Sequence, residues 1–198
     1  MPKIASSHLW KALTFIVLAT GTAASDVAQC GAAPTSNKVP TELPGLLNFH
    51  VVHEYLFRGG EPDSKSLHDL KEKGVSTLID LRGTGKVTKE ESAEAKELGM
   101  KYINLPMDSH APTKQQVDTF LKTVEEAKAG KSGPVYVHCQ HGSDRTGCLV
   151  GVWRVTHDDW DYDKTYTEMR KYFFGPKYTE LSGTVKQYAE EHTKKKSG

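Results

Sequence analysis

From Phe49 onward the chain alternates two kinds of hydrophobic pattern. The runs YLF, STLIDL, KYINL and PVYVH are short and mostly apolar, as in buried strands. Between them apolar positions recur every three or four residues, the period of a helix with one buried face. Helix starts are readable. Ser64 precedes KSLHDLKEK with Gly74 as its stop, and Thr88 with Glu91 and Thr113 with Gln116 have capping-box spacing. Two more helices are predicted near Lys164 to Tyr172 and Glu180 to His192. Strands separated by helices of this length predict an α/β fold: a single domain whose mostly parallel central sheet carries helices on both faces. Any ligand site then lies at the carboxyl ends of the strands.

Ahead of this pattern the chain changes character. Lys3 and Lys11 precede the run ALTFIVLATGTAA, too short to span a bilayer comfortably, with small residues at Thr22 and Ala24. This predicts a signal peptide over residues 1–24 and a secreted domain. VAQC partly resembles a lipoprotein box, so lipidation at Cys30 with a membrane tether is the alternative, and an uncleaved apolar anchor is a third. Residues 25–48, rich in Ala, Thr, Ser, Pro and Gly, read as a linker, residues 49–193 as the domain, and residues 194–198, with their lysines, as a solvated tail.

Charge changes the picture only by exclusion. With 26 Lys and Arg against 25 Asp and Glu, no global field favours nucleic acid, and any anion site must be local. Only Cys139 and Cys148 fall inside the domain, too few for a disulfide scaffold. They could bridge one another, or Cys148 could be a small buried hydrophobe.

Candidate chemistry sits in VYVHCQHGSDRTG, Val135 to Gly147. A strand, a loop holding Cys139 and Gly142, and the apolar segment CLVGVWRV follow one another. A strand-to-helix turn of this kind binds anions, because successive N–H groups and the helix N-terminus converge on it. Arg145 adds a planar fork of donors suited to two phosphate oxygens. A thiol among such donors loses its proton readily and becomes a nucleophile aimed at phosphorus. His138, Cys139 and His141 do not form a metal site at this spacing, since neighbours on one tight turn cannot converge on a single ion.

The segment H-C-x-x-G-x-x-R-T-G, filled from His138 to Gly147, resembles the signature loop of the cysteine-dependent protein tyrosine phosphatases, in particular their small bacterial dual-specificity-like branch. LFRGGEPD and LIDLR resemble the strands that open such domains. For Arg58 a surface role is the alternative, and for Asp80 with Arg82 a structural ion pair. The resemblance implies that Cys139 attacks, that Arg145 binds the phosphoryl oxygens and that Thr146 offers its hydroxyl to the departing thiolate. It also implies that His138 orients the loop, that Gly142 permits its bend, and that Gln140, His141, Ser143 and Asp144 line the substrate site. Asp144 also suits a helix cap. No metal or cofactor is implied.

LPMDSHAPT resembles the family's acid loop, which makes Asp108 the general acid or, with the loop aligned two residues differently, His110. The expected activity is a secreted, periplasmic phosphomonoester hydrolase acting on phosphorylated protein or small monoesters through a cysteinyl-phosphate. The alternatives are an inositol phosphate or phosphoinositide phosphatase, a silent phosphate-binding module, and a sulfur-transfer or arsenate-reducing enzyme. The absence of a lysine near Ser143 speaks against the first of these.

Overall fold

The computed structural model describes residues 43–198; the signal-like segment, Cys30 and most of the expected linker lie outside the described residues. The described chain runs β1 (His50–His53), β2 (Leu56–Gly59), α1 (Ser64–Glu72), β3 (Thr77–Asp80), α2 (Lys86–Glu97), β4 (Lys101–Asn104), α3 (Lys114–Lys128), β5 (Val135–His138), α4 (Asp144–His157), α5 (Tyr162–Lys171) and α6 (Thr179–Ser197). The strands form one sheet in the order β1-β2-β5-β3-β4. All pairings are parallel except β1 with β2. This is the expected α/β fold, with β5 in the centre.

The continuous apolar runs have a direct cause. Leu56, Ile79, Val135 and Val137 point into a core shared with α3, α4, α5 and α6, while Phe57, Leu78 and Tyr136 point into a second core with α1 and α2. Alternate residues of β2, β3 and β5 are therefore buried on opposite faces, which leaves no polar face to show a period of two. Helix α4 is enclosed by its neighbours, with Thr146 through Val155 all buried. Each fully buried apolar side chain there contributes about 1.5–3 kcal/mol.

Several boundaries differ from the sequence expectations. Leu43 and Leu46 are buried in the α1/α2 core, so the last residues of the expected linker are packed. Strand β1 was missed because HVVH is half-buried and too short to show a pattern. Asp63, not Ser64, caps α1, accepting from the Ser66 N–H at 2.8 Å. Helix α2 starts at Lys86, with Gly85 at the cap and Thr88 inside the first turn accepting the Gly85 N–H. The Thr113–Gln116 capping box forms as expected. Helix α6 runs on through the lysines of the expected tail. Cys148 packs against α6, its thiol donating to the Leu181 carbonyl at 3.3 Å.

Candidate active site

Strand β5 delivers Cys139 to the carboxyl edge of the sheet, and α4 begins at Asp144, so residues 139–143 form the turn between them. The hydrogen bonding of this turn is one-sided. Its carbonyls are taken: Gln140 O accepts the Glu61 N–H, Gly142 O accepts Arg58 Nη2 at 2.6 Å and Asn48 Nδ2 at 3.0 Å, and Ser143 O accepts the Gly147 N–H. The backbone N–H groups of Gln140 through Ser143 donate to no acceptor among the described residues. Carbonyls tied outward and N–H groups left free describe an anion-binding nest at a helix N-terminus.

Gly142 makes the turn possible. Its φ is +70°, and a Cβ there would lie 2.4 Å from the Gly59 carbonyl carbon, because the loop is pressed onto the end of β2. Only glycine combines that conformation with that approach.

Cys139 is 2% exposed at the floor of the turn. Arg145 reaches across the sheet edge, its Nη1 donating to the carbonyls of Leu81 at 3.3 Å and Met107 at 3.4 Å. Thr146 is wholly buried, and its Oγ1 has no hydrogen-bond partner among the described residues. Ser143 Oγ donates to His141 O at 3.4 Å. Asp144 does not cap α4; that position is Ser143, without a side-chain bond. Instead the Asp144 carboxylate accepts the Gly175 N–H at 2.7 Å and ties the loop after α5 to the site. A cleft of about 260 Å³ opens over the turn, walled by Gln140, His141, Asp144 and Arg145 on one side and by Asp108, Ser109 and Tyr178 on the other.

Both acid candidates lie on the loop after β4, and the structure pairs them. Asp108 Oδ1 accepts the His110 N–H at 2.8 Å and faces its ring Nδ1 at 3.0 Å. Those hydrogen bonds hold the Asp108 carboxyl below its ordinary value and, reciprocally, hold the His110 imidazole above its own. Asp108 shares the cleft with Arg145, whereas His110 lines the neighbouring depression with Pro106, Pro112 and Gln116.

Beneath the loop lies a buried charge network. The Arg82 guanidinium contacts Asp80 at 2.7 Å, Glu91 at 2.5 Å and Glu61 at 2.7 Å, and Tyr102 donates to Asp80 at 2.6 Å. Burial alone would lower the Arg82 pKa, but these carboxylates outweigh it and raise it. His138 Nε2 lies 2.9 Å from Glu91 Oε1, close enough for charge pairing. It is not aligned for a hydrogen bond. Asp80, Glu91 and His138 offer three donor atoms within 4.8 Å of one another, but Arg82 already occupies both carboxylates. That arrangement is an ion-pair network and not a cation cage.

Sequence reasoning placed the turn and its residues, and the ion pair offered as the alternative reading of Asp80 with Arg82 is present. It missed Asn48, hidden in the expected linker, and Glu91, read only as part of a capping box. Arg58 is not at the surface but 1% exposed. A charged residue inside a continuous strand run was its only signal.

Among curated proteins, the chain is 24% identical over 73% of its length to the dual specificity protein phosphatase TpbA of Pseudomonas aeruginosa strain UCBPP-PA14, covering 63% of that protein. It is 27% identical over 63% of its length to the inositol diphosphatase DSP3 of Arabidopsis thaliana, covering 61% of it. The chain thus spans a little under two thirds of these relatives. The crystal structure of P. aeruginosa TpbA matches with a TM-score of 0.61 at 20% identity, over 74% of this chain and 91% of that one, a likeness of fold. Residues 48–187 match the family described as DSP-PTPase phosphatase fused to NAD+ kinase. The chain, with its complete cysteine-to-arginine loop, belongs to that family and so to the cysteine-dependent protein tyrosine phosphatase superfamily.

Proposed function

We propose that this protein hydrolyses phosphomonoesters, phosphotyrosine foremost, through a cysteinyl-phosphate. The observation that carries this is the turn's free N–H groups, in the loop that joins a single buried cysteine to Arg145 in the first turn of α4. The Cys139 thiolate attacks phosphorus, an S–P bond forms, and the bond to the ester oxygen breaks with its electron pair leaving on that oxygen. Asp108, which lines the same cleft, protonates the leaving oxygen once its carboxyl is released from the His110 contacts that keep it ionised, and then takes a proton from the water that cleaves the S–P bond. Phosphate departs and the thiolate returns. Through both steps the N–H groups and Arg145 hold the equatorial oxygens. Thr146 Oγ1, free of other partners, is disposed to stabilise the leaving thiolate.

A second substrate class, inositol phosphates, draws support from a neighbouring depression that brings Lys86 alongside Gln140 and Arg145, beside an Arg82 already held by carboxylates. Location in the periplasm, after cleavage near Ala24, is supported by the apolar run preceded by Lys3 and Lys11. N-terminal sequencing of the mature protein from a periplasmic fraction tests it.

The test of activity is hydrolysis of an aryl phosphate in the presence of chelator. We expect turnover, inhibition by vanadate, and complete loss in Cys139→Ser with vanadate binding retained. Turnover in Cys139→Ser would remove covalent catalysis from consideration. Phosphotyrosyl peptides against inositol phosphates then decide the substrate.

A further inference from the structure

Three arginines of the described domain are buried, and two of them hold carboxylates. Arg82 is bound by Asp80, Glu91 and Glu61, and Arg154 by Glu168 and Asp158. Arg58 has no carboxylate partner among the described residues. Its Nη2 donates to the Gly142 carbonyl at 2.6 Å and its Cζ sits 4.9 Å from the centre of the Tyr172 ring. Its Nε and Nη1 are buried without any acceptor. Glu168, the carboxylate that acts on it most strongly from a distance, has both oxygens on Arg154 at 2.9 Å.

A lone buried cation is costly, and folds normally avoid one. Burial lowers the Arg58 pKa to about 10, which leaves it charged at neutral pH. After Glu168 and Tyr172, Cys139 is the further group whose anionic form would favour the protonated guanidinium, and it is the one that lies in the phosphate turn. Arg58 and Cys139 point to the same face of the sheet, since Leu56 and Val137 of their strands share one core.

We propose that Arg58 is a positioning residue of the phosphate site. It holds the Gly142 carbonyl turned away from the nest, which keeps the adjoining N–H groups aimed inward. Its charge, supplied from outside the loop, is balanced by the phosphoryl group that the nest and Arg145 hold inside. The counter-ion missing from the fold is the bound anion itself. This rests on the phosphatase activity proposed above.

Three substitutions separate charge from shape. Arg58→Met keeps the volume, Arg58→Gln keeps a donor for Gly142, and Arg58→Lys keeps the charge. Vanadate affinity is expected to fall about tenfold or more in the Met and Gln variants, with KM for an aryl phosphate raised, and to recover largely in Lys, because truncating one member of a buried charge pair is expensive. A merely structural arginine would lower the thermal midpoint of all three in the same order while leaving vanadate affinity of the folded protein unchanged, and that result overturns the proposal. If the neutral variants do not fold, the Arg58 Nε–H resonance of nitrogen-labelled wild type is followed on vanadate addition. A shift supports the proposal, and an unmoved resonance at saturation overturns it. Wild type that fails to bind vanadate at all would instead refute the phosphatase activity.

Discussion

His138, the residue before the nucleophile, presents its Nε2 to Glu91 Oε1 at 2.9 Å, and both side chains are buried. Since Glu91 also holds Arg82, one carboxylate on α2 ties that helix to β3 and to the strand that carries Cys139. Neutralising it leaves Arg82 with less compensation and His138 with only the more distant Asp80 carboxylate. Glu91→Gln is expected to cost about 3 kcal/mol or more, the range for breaking a buried ion pair, and to lower kcat/KM. Urea unfolding measures the first and aryl phosphate turnover the second. A variant within about 1 kcal/mol of wild type would show that packing, not this pair, seats the loop.

The acid is tested by leaving group. Asp108 shares the cleft with Arg145 and His110 does not, so Asp108→Asn should lower kcat by about 10² to 10⁴ for poor leaving groups and less for activated aryl phosphates. The same selectivity appearing in His110→Ala, with Asp108→Asn near wild type, would move the acid to His110.

The pairing of these two residues has its own pH signature. His110 is raised above 6.5 by the Asp108 carboxylate, so its contribution to loop stability is present below 6.5 and lost as pH rises through the raised value. Asp108 is lowered below 3.8, so its contribution is present above 3.8 and lost as pH falls through the lowered value. The loop is therefore held across mildly acid to near-neutral pH. A nuclear magnetic resonance titration of His110 should show a midpoint above 6.5 that drops in Asp108→Asn; a midpoint unmoved by that substitution would mean the contact does not persist in solution.

Gly142→Ala forces a side chain into a left-handed position 2.4 Å from Gly59. The expected cost is about 2 kcal/mol or more, together with loss of vanadate binding, since the nest cannot close. Ordinary vanadate affinity in a folded Gly142→Ala protein would contradict the geometry of the turn.

Cys148 is fully buried, and burial pushes its thiol up to about 12. Of the two cysteines in the domain, iodoacetamide should therefore label only Cys139 in the native protein and reach Cys148 only after unfolding. Its thiol is turned to the Leu181 carbonyl, so peroxide should oxidise Cys139 without bridging the two cysteines. A Cys139–Cys148 disulfide in the mass spectrum of native, peroxide-treated protein would reverse this assignment.

What the sequence by itself determined follows from local physics. The turn from His138 to Gly147 was legible because backbone, glycine and arginine act within ten consecutive residues. The α/β order was legible because strands buried on both faces are mostly apolar, and the helices between them must show one face. The start of α2 was misplaced because Thr88 satisfies a capping box on paper, while the backbone can equally accept Thr88 as the third residue of a helix capped by Gly85. Only the tertiary structure decided what lies around the turn. Asn48, Arg58 and Gly142 are separated by up to 94 residues, and parallel pairing of β2 with β5 brings them together. Glu91 meets His138 because the even-numbered residues of β5 face α2. Such contacts leave no period and no spacing in the chain: each depends on which strand lies beside which, and that order is set by burying the whole sheet at once.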